Sequence, residues 1–237
     1  MNDLSLLRDE MQKTASPARA KNLSWFFKTG KGQYGEGDIF CGLTVPQSRI
    51  IAGHFPSLSL KRIESLLKSP THEERLIALF ILVSQFSKAD EDEKKKIVDF
   101  YLSHADRVNN WDLVDSSADK ILGEWLLLHP DENLIQKLAT SSLLWERRIA
   151  MVSTFAFIKK GKPELTFLVA RMLLADKEDL IHKATGWMLR EVGKRCGREK
   201  LIKFLSTSYK LMPRTALRYS IEHFPPQERK RYLQGLV

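Results

Sequence analysis

Apolar residues recur at three- and four-residue spacing along almost the whole chain, the period of a helix face. No stretch alternates with the period of two that a half-buried strand requires, so the pattern predicts an all-α fold of about a dozen helices. Punctuation supports the helical reading. Ser16-Pro17 places a capping residue before a proline at the first helical position, and Pro46 does the same for a helix over Pro46 to Phe55. Ser69-Pro70 repeats the device ahead of a long helix running to about Phe86, and Pro163, Pro213 and Pro226 mark further starts. Gly161 and Gly197 fall where helix ends need a residue that tolerates positive φ.

The helices carry a degenerate repeat. The segments H-E-E-R-L-I-A-L-F, W-E-R-R-I-A-M-V-S and I-H-K-A-T-G-W-M-L begin at His72, Trp145 and Ile181, and within them Ala78, Ala150 and Gly186 are separated by 72 and 36 positions. Val114 in N-N-W-D-L-V-D stands at the intervening step. A period of about 36 is that of stacked helix pairs, and small residues at one phase suit close helix contact. The expected architecture is a superhelical solenoid of paired antiparallel helices, right-handed and monomeric, with one concave basic face. We expect a single domain over 1–237, in which 1–28 are N-terminal helices and 43–237 the array. Between them lies 29–42, T-G-K-G-Q-Y-G-E-G-D-I-F-C-G, with five glycines. It matches no phosphate-binding glycine motif and reads as a flexible connection.

The same period aligns four residues of distinctive chemistry. Asp115 and Trp187 are 72 positions apart, two steps of 36, and Trp111 and Arg148 are 37 apart, one step plus one. Residues in one phase project from one face, so two tryptophans, a carboxylate and a guanidinium are expected to converge. Trp111 and Asp115 are i and i+4 on one helix face. Asp112 lies on another face, in the first turn, where a carboxylate suits the helix dipole, and is expected to be structural. Taken singly, Asp115 is equally a surface ion-pair partner of Lys120 or Arg148, and Trp187 a core residue.

Charge narrows the partner. The chain of 237 residues carries a net charge of +9, with 43% hydrophobic residues, enough for a packed core. The basic balance points to a polyanion, nucleic acid ahead of membrane. Lysines and arginines of the inner helices, among them Arg148, Arg190 and Lys194, are expected to contact it. Two cysteines without a paired motif, Cys41 and Cys196, read as free thiols in a reducing compartment. No signal-like or membrane-spanning segment is legible, so a cytoplasmic location is expected. No His/Cys cluster suggests a metal, and no cofactor is expected.

The motifs W-x-x-x-D at Trp111/Asp115, W-x-x-R at Trp145/Arg148 and K-A-x-G-W-x-L-R-E at Lys183 to Glu191 resemble those of the AlkD-type DNA alkylation-repair glycosylases, built from HEAT-like repeats. The likeness runs from about Leu4 to Phe224. It implies a cytoplasmic enzyme, nucleoid-associated when bound to DNA, that grips duplex DNA and hydrolyses the N-glycosidic bond of cationic purines such as 3-methyladenine and 7-methylguanine. Asp115 would then stabilise positive charge on the sugar, Trp111 and Trp187 would pack on the deoxyribose and backbone, and Arg148 would hold a phosphate. The family also uses an aromatic of the second N-terminal helix, for which Trp25, Phe26 and Phe27 are candidates here. A non-catalytic DNA-binding module and a protein-interaction solenoid are the alternatives on the same scaffold.

Overall fold

The helical period becomes sixteen α-helices, one π-helical turn and one 3₁₀ turn among the residues described, 3–237 of a computed structural model. The only β pairing among them is an isolated bridge between Ile39 and Thr71. Their packing divides the chain into two compact units, the first ending at Ser117 and the second spanning Ala118–Val237.

The first unit contains α1 (Asp3–Thr14), α2 (Pro17–Phe26), α3 (Val45–His54), α4 (Leu60–Leu67), α5 (His72–Lys88), α6 (Glu91–Ser103) and α7 (Trp111–Ser117). Ser16 caps α2 by accepting the Arg19 N–H, with Pro17 at the first helical position. Thr44 and Gln47 close a capping box on α3, satisfying two backbone donors that would otherwise be orphaned. Ser69-Pro70 does not open the next helix as expected. α5 starts at His72, because the carbonyl of Pro70 is taken by the N–H of Ile39 and Thr71 sits in the bridge. Against α5 pack α3, α4 and α7. Ile63, Leu66 and Leu67 of α4 are fully buried, each side chain contributing about 1.5–3 kcal/mol of burial.

The glycine-rich segment is not the flexible connection its composition suggested. Its carboxyl end lies on α5: Cys41, Gly42 and Leu43 all donate their N–H groups to the Glu73 carboxylate, at 3.1, 2.8 and 3.2 Å. Two of its glycines are there because backbone approaches too closely for a side chain. A β-carbon at Gly42 would lie 2.2 Å from the Ser16 carbonyl oxygen, and one at Gly35 would lie 2.4 Å from that of Phe27.

The second unit opens with the π turn Asp119–Gly123 and α8 (Glu124–Leu128). It continues through α9 (Glu132–Ala139), α10 (Leu144–Ser153), α11 (Phe155–Lys159), α12 (Glu164–Met172) and α13 (Asp179–Arg195). It ends with α14 (Arg198–Ser208), the 3₁₀ turn Tyr209–Leu211, α15 (Arg214–Ser220) and α16 (Pro226–Gln234). α10 and α13 carry successive repeat words and pack side by side, with α9 and α12 beside them. Ala78, Val114 and Ala150, at the shared phase, are fully buried. Gly186 at the same phase is a point of close helix contact. A β-carbon there would lie 2.5 Å from both the Ala216 carbonyl oxygen and the Tyr219 β-carbon, so α15 occupies the space.

Candidate functional site

In the first unit Trp111 opens α7 inside an aromatic cluster. Its ring stacks on Phe27, with centroids 5.2 Å apart and planes 14° from parallel, and Phe26 meets it edge-on at 6.0 Å. This separates the three aromatics at the end of α2. Phe27 is core at 7% exposure, Trp25 points away at 83%, and Phe26, 54% exposed, is the open aromatic beside Trp111. The indole N–H of Trp111 donates to the Tyr34 hydroxyl at 3.2 Å. Asp115, one turn along α7 from Trp111, is half-buried.

Asp112, expected to be structural through the helix dipole, is bonded to His72 of α5 instead. His72 stands between two carboxylates. Its Nε2 lies 2.8 Å from Asp112 Oδ2 and its Nδ1 lies 3.1 Å from Asp38 Oδ2. A carboxylate only accepts, so both ring nitrogens must carry protons to make both bonds. Burial pulls the His72 pKa down, but the charge and hydrogen bond of Asp112, with the bond to Asp38, outweigh it and lift the pKa to about 9. Asp38 also accepts from Arg75 Nη2 at 2.5 Å and from Asn110 Nδ2 at 3.3 Å. Burial raises its pKa, yet these neighbours win and hold the carboxyl below the usual range. Phe40 stacks on the His72 ring at 4.6 Å and Phe27 lies 5.0 Å from it. Nearby Cys41 is a poor nucleophile, since burial and the Glu73 charge push its thiol up to about 12.

In the second unit Arg148 lies on α10 and Trp187 on α13. Arg148 is 4% exposed, and its Nη1 donates to the Leu180 carbonyl of α13. Arg147, one residue earlier, has a structural task. Its Nε pairs with Asp176 at 2.6 Å and its Nη1 holds the Ser141 carbonyl at 2.8 Å. Trp187 is partly exposed and lies 6.0 Å from Phe155. Two cations, Lys159 and Arg195, sit over the Phe155 ring at 5.6 and 5.2 Å. Arg190 is engaged with Glu222 and, at 3.4 Å, with Glu191, whereas Lys194 is exposed.

Sequence reasoning missed Tyr34, Asp38, His72 and Phe155. Only the first two carried a usable signal, as one of two aromatics and one of two carboxylates in a segment rich in glycine. Among the described residues no three His, Cys, Asp or Glu side chains gather as a metal would require. No described helix is long and apolar enough to cross a membrane.

An all-helical chain of stacked pairs with these clusters falls in the helical-repeat class. The model of the DNA alkylation repair enzyme family matches residues 7–224, and the chain belongs to that family. Among solved structures it is similar to a predicted DNA alkylation repair enzyme from Enterococcus faecalis, with a TM-score of 0.71 and 18% identity over 90% of this chain and 98% of that one. At that identity the likeness speaks for the fold. Among curated proteins none matches.

Proposed function

We propose that the protein is a DNA glycosylase that releases cationic alkylated purines, of the 3-methyladenine and 7-methylguanine kind, from duplex DNA during base-excision repair. The observation that carries this assignment is a half-buried carboxylate, Asp115, one turn from an aromatic wall formed by Trp111 and the exposed Phe26. Membership of an alkylation-repair family supports it. A purine alkylated on a ring nitrogen is already a cation and leaves without a general acid. As the bond breaks, positive charge moves to the deoxyribose. A carboxylate there gains most in the transition state, and that difference accelerates the step. Asp115 takes this role and can orient the attacking water. Indole faces attract a cationic sugar, which gives Trp111 and Trp187 their tasks. Arg148, with its guanidinium largely covered and bound to Leu180, would favour a flanking phosphate mainly through its charge. The exposed Lys194 and, less, the ion-paired Arg190 would add affinity. The chemistry requires no metal or cofactor, and we place the enzyme in the cytoplasm as a monomer.

The test is single-turnover release of 7-methylguanine from methylated duplex, followed by chromatography, with duplex affinity measured across a salt series. The expected result is release by the parent protein and a rate lower by ~10²–10³ for Asp115→Asn, with affinity nearly unchanged. Affinity should fall with salt, each neutralised phosphate adding ~0.9 to the log–log slope. Salt-dependent binding without release would favour a non-catalytic DNA-binding module. Equal rates for Asp115→Asn and the parent would remove Asp115 from the chemistry.

A further inference from the structure

The aromatic cluster fixes Trp111 incompletely. Stacking on Phe27 sets the plane of the indole, and the edge of Phe26 limits its tilt, but neither has directionality within that plane. A ring held only by its faces can slide or swivel. The hydrogen bond from Trp111 Nε1 to the Tyr34 hydroxyl supplies the missing constraint.

Tyr34 can do this only if its own segment is held, and the surroundings of Trp111 show that it is. Beside it, the Gly35 N–H donates to the Lys28 carbonyl at 3.2 Å, and the absence of a side chain at Gly35 lets this backbone press against Phe27. Four residues after Tyr34, Asp38 bonds to Asn110 on one side of Trp111 and, through His72, to Asp112 on the other. Asn110 Oδ1 in turn accepts the Trp111 backbone N–H at 2.8 Å. The segment thus grips the start of α7 at three consecutive residues.

We propose that Tyr34 is a positioning residue for Trp111, through which the glycine-rich segment sets the orientation of the indole against the lesion. This rests on the glycosylase assignment made above. Its scale follows from geometry, because a misplacement of about 1 Å at a reacting centre can cost up to ~10²-fold in rate. Loss of one hydroxyl from a ring still stacked on Phe27 displaces the indole less than that. The expected slowing for Tyr34→Phe is therefore about tenfold.

The experiment compares the full-length parent with Tyr34→Phe in three measurements. These are the single-turnover rate of 7-methylguanine release at saturating enzyme, the dissociation constant for the same duplex, and the ¹⁵N-indole spectrum of the five tryptophans, with Trp111 assigned from Trp111→Phe. The proposal expects the rate to fall, the dissociation constant to stay within about twofold, and the Trp111 indole resonance alone to move. A general loss of folding would move several indole resonances together, and that pattern would count against a positioning role. Tyr34→Ala, which also removes the ring, should slow release further. Release by Tyr34→Phe at the parent rate overturns the role of Tyr34 alone. No release by the parent overturns the glycosylase assignment and this proposal with it.

Discussion

Two helices that the repeat makes equivalent, α5 in the first unit and α13 in the second, treat their charged residues in opposite ways. Both are seventeen residues long, and Ala78 and Gly186 mark their common phase. α5 begins with His72, Glu73, Glu74 and Arg75, all buried. α13 begins with Asp179, which pairs with Lys183 at 2.7 Å on the surface. The difference lies in what covers the helix start, chiefly the glycine-rich segment with help from α1 and α7. In the first unit every charge of H-E-E-R meets a counter-group, with Asp38 shared by His72 and Arg75. Asp38 and Asp112 flank His72, and three backbone N–H groups of 41–43 meet Glu73. Arg8 takes Glu74 bidentately at 3.0 and 2.8 Å, and Asp38 takes Arg75. The period fixes which residues share a face, while the segment lying over that face decides whether a charge on it is solvated or locked.

The comparison breaks most directly at Asp38. Asp38→Ala would leave His72 and Arg75, each 1% exposed, without their shared carboxylate. Removing one partner of a buried ion pair costs about 3–5 kcal/mol, because the other charge stays buried. We expect this loss in the first unit, read as a collapse of hydrogen-exchange protection in α5 and α7, with α13 still protected. Equal loss of protection in both helices would show that the lock is not confined to the covered helix.

What the sequence made legible follows the same division. Local rules identified the caps at Ser16 and before Pro46, the proline starts and the buried small residues, because each depends only on neighbours in the chain. Helix phase separated Asp112 from Asp115, but the bond that holds Asp112 to His72 depends on α5 and was not legible locally. Long-range covering was not legible. Nothing local says that 29–42 folds back on α5, or that Pro70 gives its carbonyl to Ile39 instead of starting a helix. Phase also says less about exposure than expected. Met151, 36 positions from both Asp115 and Trp187, is fully buried. Arg75, 36 before Trp111, is locked on Asp38. The close contact expected at Gly186 is made by α15, a partner that no pattern within α13 could identify.

Titration sharpens the comparison. His72 has a folded pKa of about 9, above its ordinary 6.5, so it binds its proton more tightly in the folded state. The stabilisation is complete below the ordinary value and is lost as pH rises through about 9. Asp38 has the opposite sign. Its carboxyl is held low, so its contribution is present above the ordinary carboxylate range and lost as pH falls through the depressed value. The lock should be strongest from mildly acidic pH to about 6.5. Raising the pH from about 6 to about 9.5 should therefore remove stability on the order of 1–3 kcal/mol, the linkage consequence of the tighter proton binding. The check is the urea midpoint of the parent and of His72→Gln across that range. The parent should fall and the variant should stay flatter. Parallel curves would dissociate His72 from the pH dependence.

The smallest effect comes from two helical glycines with opposite surroundings. Gly53 lies near the end of α3 in the first unit, and a β-carbon there would meet nothing within 4 Å. Gly186 lies within α13, where the same atom would meet the Ala216 carbonyl oxygen at 2.5 Å. Alanine is the better helix former by about 0.5–1 kcal/mol at either site, because glycine loses more backbone freedom on folding. At Gly53 nothing opposes that gain, although the helix end reduces it, so Gly53→Ala should stabilise by about 0.5 kcal/mol. At Gly186 the atom in the way is backbone, which cannot rotate aside, and α15 must move. Overpacking of this kind costs about 1–3 kcal/mol, so after the propensity gain Gly186→Ala should destabilise by about 0–2 kcal/mol. Thermal melts of the two variants against the parent read the contrast as shifts of opposite sign. Stabilisation by Gly186→Ala as large as that by Gly53→Ala would mean that α15 does not press on α13, and the close approach assigned to that phase of the repeat would have to be given up.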